Sequence, residues 1–140
     1  EVDFPPLGLN NLTAKRLRKM LDGTGIKWRV IVVSACYSGS FIDALKDENS
    51  LILTAARHDR VSFGCSHEND FTYFGRAYFD QALRGTHSFV DAFEQARVTV
   101  TKWETDEELE ASLPQIHIGA AIKPKLAEIE AHLRRHAPAN

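Results

Sequence analysis

The stretch "RVIVVSACYSGSF", Arg29–Phe41, sets an unbroken β-branched run, Val30-Ile31-Val32-Val33, directly before a cysteine and a Ser-Gly-Ser turn. Such a run suits a strand covered on both faces, the usual state in a parallel sheet. The spacing predicts a strand over Trp28–Ser34 and a short helix from about Ser40, with Asp43 placed to complete a capping box. Cys36 then lies at the carboxyl end of the strand, where open parallel sheets bind their ligands. Two readings of the thiol stand side by side. Free cysteines are among the most buried residues, and most are inert. A helix N-terminus, however, favours the reactive thiolate through its dipole and free N–H groups. Ser38-Gly39-Ser40 also allows a tight turn that brings backbone amides to a developing oxyanion. The local residues leave both readings open.

Outward from this stretch the chain alternates strands and helices, with no repeats or low-complexity tract. Thr13–Leu21 reads as a helix with Leu17, Met20 and Leu21 on one face, ended by Asp22-Gly23. Ser50–Ala55 reads as a second buried strand. The polar segment from Arg57 to Asp70 reads as a loop with an extended piece at Ser62-Phe63-Gly64. Tyr73–Leu83 predicts a helix closed by Gly85, and Ser88 caps the next. There Phe89, Phe93, Ala96, Val100 and Trp103 recur at helical spacing and mark core, not a cofactor box. Glu104 to Glu110 reads as a solvated connection. Ile116 and Ile118 flank a short strand, and Ile122, Leu126, Ile129 and Leu133 mark a final amphipathic helix. The pattern predicts a layered α/β domain with a mostly parallel sheet. Three strands are few for a sheet buried on both faces, so strands from upstream, or from another chain, are expected to complete it.

Composition narrows the function classes. The chain has 140 residues, 44% hydrophobic and 26% charged, which suits a soluble globular domain or part of one. The net charge is −2 with acidic and basic residues interleaved, so no nucleic-acid footprint is expected. No apolar run approaches the roughly 18 residues needed to span a bilayer. The chain starts Glu1-Val2-Asp3, which reads as a fragment or processed product and leaves a secreted or membrane-anchored parent open. Two cysteines, Cys36 and Cys65, make no disulfide framework, and Cys65 is expected to be free and non-catalytic. Six scattered histidines without Cys-x-x-Cys or His-Glu-x-x-His spacing point to no metal site and no cofactor. A nucleophilic cysteine needs a base. His58, which follows the second strand at the same sheet edge, has the best local argument. His67 sits in the polar loop; His87, His132 and His136 fall at helix ends or exposed faces, and His117 is expected to face outward.

The segments "VIVVSACYSGSFIDAL", "LILTAARHDRVSFGC", "TYFGRAYF" and "SLPQIHIGAAI" resemble the legumain family of cysteine peptidases, in order and in spacing, from about Phe4 to Leu133. The resemblance implies a caspase-like three-layer fold, with residues 1–140 as the C-terminal portion of its catalytic domain and the first strands missing. It implies that Cys36 is the nucleophile of an endopeptidase, with its own N–H serving the oxyanion and the second N–H coming from the glycine of a His-Gly pair, while Ser38 and Gly39 stay the turn candidates of the local reading. It places the base in a His-Gly pair just upstream of Glu1 rather than at His58, so the fragment alone is expected to be inactive. It assigns Ser34 and Arg76 to the pocket for the residue before the scissile bond. Both positions are acidic in relatives that cleave after asparagine. An inward Arg76 would favour an acidic or carbonyl-rich side chain, and an outward one would reach for solvent. Ser62, Phe63 and Gly64 fall on the stretch that pairs with extended substrate. The implied partner is a peptide or protein substrate. A transamidase of the same family and an inactive interaction module are the alternatives.

Overall fold

In the computed structural model, which describes residues 12–64 and 71–136, strands β1 (Arg29–Val33), β2 (Ser50–Thr54) and β3 (Gln115–Ile118) form one sheet in the order β1-β2-β3. The start of the family resemblance at Phe4, and Cys65 and His67, lie outside the described residues. β1 and β2 run parallel, with Ile31 opposite Ile52 and Val33 opposite Thr54. β3 runs antiparallel to β2, with Leu53 opposite Ile116. The mostly parallel sheet predicted from sequence is thus parallel in one pairing and antiparallel in the other. The cause is an extra helical pass. Between β2 and β3 the chain makes two helices joined only by residues 86–88, and so short a link makes them antiparallel neighbours. An even number of passes returns the chain pointing the opposite way.

Burial is centred on β2, every residue of which is buried, whereas β1 is half-covered and Val30 is exposed. The β-branched run is therefore not covered on both faces as expected, because β1 is an edge strand among the described residues. Leu51 and Leu53 face the main core, which the helical segment 73–85 (α3) and α4 (Phe89–Asp106) fill with Phe74, Tyr78, Phe93, Ala96 and Val100. Ile122 and Leu126 of α5 (Ile122–His136) close it. Ile52 points to the other face, where α1 (Ala14–Asp22) packs on α2 (Ile42–Leu45) and α2 on β2. Helices thus lie on both faces of the sheet in a mixed α/β frame. No helix among the described residues is long and apolar enough to cross a membrane.

Local chemistry explains the ends. Thr13 caps α1 by accepting the Arg16 N–H, and Ser88 caps α4 by accepting the Asp91 N–H. The capping box expected at Ser40 and Asp43 does not form. Residues Ser38–Phe41 make a 3-10 turn, the Ser40 hydroxyl donates to the Tyr37 carbonyl, and Asp43 pairs with Lys46 instead. In α3, Tyr73–Gly75 and Leu83–Gly85 are α-helical and Arg76–Ala82 is a π-helix, a wide form that is frequent at functional sites.

Candidate active site

Two stretches meet at the carboxyl ends of the parallel pair: the cysteine turn, residues 34–40, and the segment that leaves β2, residues 55–64. Backbone bonds stitch them together. The Ala55 N–H donates to Val33 O at 3.0 Å, and the Gly39 N–H to Ala56 O and the Tyr37 N–H to Arg60 O, both at 2.8 Å. Ser38 is fully buried, and its hydroxyl accepts the Ala56 N–H at 3.1 Å. Only glycine fits at position 39, since a Cβ there would lie 2.6 Å from the His58 nitrogen. Tyr37 has a left-handed backbone, φ 58°, which costs a non-glycine residue about 1–2 kcal/mol. The strain sits beside Cys36 and is held by the bond to Arg60, as backbone outliers at active sites are.

This pinned turn presents Cys36 at the surface as a free thiol. Its sulfur lies 3.3 Å from both the N–H and the carbonyl oxygen of Ser62, and these are its hydrogen-bond partners among the described residues. The thiol donates to the carbonyl; a thiolate would keep the N–H as a donor and repel the carbonyl. No acceptor among the described residues takes the Cys36 N–H, which leaves it free for an oxyanion.

Ser34 Oγ lies 2.8 Å from Thr72 Oγ1, and Thr72 caps α3 by accepting the Gly75 N–H at 3.0 Å. A Cβ at Gly75 would lie 3.0 Å from Thr72 Oγ1 and 3.8 Å from Ser34 Oγ, so these small groups meet closely beside the cysteine turn. Arg76 follows directly, but its exposed guanidinium lies over the Trp103 ring, 5.5 Å from the centroid. Ser62 is buried against Cys36, and Phe63 O accepts the Tyr73 N–H at 3.0 Å. Gly64 takes φ +87° and is pressed against Tyr73, where a Cβ would lie 2.8 Å from the ring. Residues 62–64 lie outside the strands.

His58 is exposed near Asp43 and Asp59, and its ring shares no hydrogen bond with Cys36. The local dyad is not assembled. The neighbouring Arg57 guanidinium grips Asp59 through two hydrogen bonds and holds its carboxyl down at about 2. His117, expected to face outward, is half-buried with its ring bonded to Asp47 O at 3.3 Å.

Most of the stretch from Glu104 to Glu110 is exposed, as expected from its charge, but its first residue is not. Glu104 is buried, and both its carboxylate oxygens accept the Ser112 N–H; Ser112 O in turn accepts the Arg57 N–H at 2.9 Å. Glu110 pairs with Arg60 and Glu107 with Tyr73. Sequence reasoning missed these contacts and Thr72. Thr72 carried a signal, a β-hydroxyl residue directly before a helix; the acidic contacts carried none, since they are purely tertiary.

The model of the family described as "Peptidase C13 family" matches residues 1–125. A comparison with curated proteins found no match. The family match covers most of the chain and falls on a mixed α/β frame with the Ala-Cys-x-Ser-Gly-Ser turn at the carboxyl end of its parallel pair. The chain belongs to the peptidase C13 family, the legumain family of cysteine peptidases.

Proposed function

We propose that the protein is a cysteine endopeptidase in which Cys36 attacks the scissile carbonyl. The observation that carries this reading is the presentation of Cys36. An exposed thiol sits on a strained, pinned turn at the carboxyl end of a parallel strand pair, with the Ser62 N–H 3.3 Å from its sulfur and its own N–H without an acceptor among the described residues. In the reaction the base takes the Cys36 thiol proton, and the C–S bond forms as the carbonyl π electrons move to oxygen, where the Cys36 N–H receives the charge. Collapse expels the amine, which takes the proton held by the base, and leaves an acyl-enzyme that water hydrolyses. The base is a histidine supplied from upstream of Glu1, on a strand that pairs with the edge of β1 left uncovered among the described residues. Ser34 and Thr72 offer hydroxyls, each both donor and acceptor, beside the nucleophile for the substrate side chain.

The test is turnover of a peptide library by the full-length protein and by its Cys36→Ala variant, with products identified by mass spectrometry. Hydrolysis that vanishes in Cys36→Ala supports the reading. Hydrolysis that survives overturns it. Exclusive transfer of the acyl group to an added amine would make the protein a transamidase, and no turnover with an unreactive Cys36 would make it an interaction module.

A further inference from the structure

The end of α4 and the acidic stretch after it reach the backbone that is read above as the substrate-pairing segment. Tyr73 is the link. Its N–H holds Phe63 O at 3.0 Å, its ring backs Gly64, and its hydroxyl donates to Glu107 Oε2 at 2.6 Å. Trp103, one turn before Glu107, meets the Tyr73 ring edge-on with centroids 5.6 Å apart. Glu107 is itself fixed as the C-cap of α4, its N–H donating to Trp103 O at 3.1 Å. The hydroxyl-to-carboxylate contact is charge-assisted and short, and it fixes direction as well as distance. Phe63 and Gly64 therefore rest on a tyrosine whose ring is aimed by two residues of another element.

We propose that Glu107 is a positioning residue for peptide binding: acting through Tyr73, it sets the Phe63-Gly64 backbone where an extended substrate pairs. This deepens the peptidase reading and rests on it. Glu107 touches neither the thiol nor the hydroxyls of Ser34 and Thr72, so its loss should loosen binding along the peptide without altering the chemical step. A placement error of about 1 Å in such a segment is enough to cost up to ~100-fold.

The experiment compares two substrates in the full-length protein: a peptide spanning several residues on both sides of the scissile bond, and a small ester carrying one residue. Glu107→Ala and Tyr73→Phe should each lower the ratio of kcat/KM for the long over the short substrate about tenfold, through KM. Glu107→Gln, whose amide oxygen still accepts the Tyr73 hydroxyl, should hold that ratio within about threefold of the parent. The double variant Glu107→Ala/Tyr73→Phe should be no worse than either single one, because both remove one interaction. Amide exchange at Tyr73, whose N–H holds Phe63 O, should quicken about tenfold in Glu107→Ala and stay slow in Glu107→Gln. Equal losses on both substrates, a loss carried by kcat, additive effects in the double variant or unchanged exchange would each overturn the proposal. A parent protein that turns over no peptide would sink the peptidase reading, and the exchange arm would still decide whether Glu107 anchors the segment.

Discussion

At Gly39 the cysteine turn comes so close to residues 56–58 that a Cβ would meet three backbone atoms at 2.6–3.0 Å, and backbone cannot step aside as a side-chain tip can. Gly39→Ala should therefore destabilise the fold by about 1–3 kcal/mol and move Cys36, lowering thiol reactivity and melting temperature together. Ser38 works on the same seam. In Ser38→Ala the buried Ala56 N–H loses its acceptor, a cost of about 1–3 kcal/mol measurable by urea unfolding. Asp59 gives a titration test of the loop beyond. Its folded pKa is about 2, below the ordinary 3.8, because Arg57 hydrogen-bonds the charged form. The pair thus favours the folded state above pH 3.8, and that contribution is lost as pH falls from there toward 2. Carbon-detected NMR should show Asp59 titrating near 2, and Arg57→Gln should return it to the ordinary carboxylate range.

The elements were legible to different depths, for physical reasons. α4 was plain because Phe93, Ala96 and Val100 repeat at the helical period and the structure buries all three. β1 was found but its burial was overstated, since Val30-Ile31-Val32-Val33 reports what the side chains prefer and not what lies beside the strand. The direction of β3 was hidden because it depends on how two helices fold back on each other, not on any residue within Gln115–Ile118. Cys36, Ser34 and Ser62-Phe63-Gly64 could be read from motif and resemblance, and the structure brings them to one sheet edge. The contacts that Glu104, Glu107 and Glu110 make could not, because a run of glutamates carries the same signature whether solvated or bound. Glu104 gives the contact with Ser112 a stability test. Glu104→Leu leaves the buried Ser112 N–H unpaired and should cost about 1–3 kcal/mol, lowering the melting temperature by several degrees; no change would show that the contact is idle.

For the whole molecule, the open side of the sheet and the site belong to one question. The Arg29 N–H donates to Asn49 O, and Val33 O accepts the Ala55 N–H, so in a parallel ladder alternate β1 groups turn toward β2. The N–H and carbonyl groups of Val30 and Val32 then point to the edge that no described strand covers. If an upstream strand bearing the base pairs there, Val30 and Val32 amides should exchange fast in this chain alone and slowly in the full-length protein. Equal exchange in both would place the base elsewhere. The central claim is that Cys36 is the nucleophile, and covalent labelling tests it most directly. The full-length protein is treated with a peptide carrying a thiol-reactive electrophile at the scissile position, and the adduct is mapped by mass spectrometry. The account predicts one adduct, on Cys36, formed far faster than with free cysteine and absent in Cys36→Ala. Modification of Cys65 instead, or a Cys36 no faster than free thiol, would contradict it.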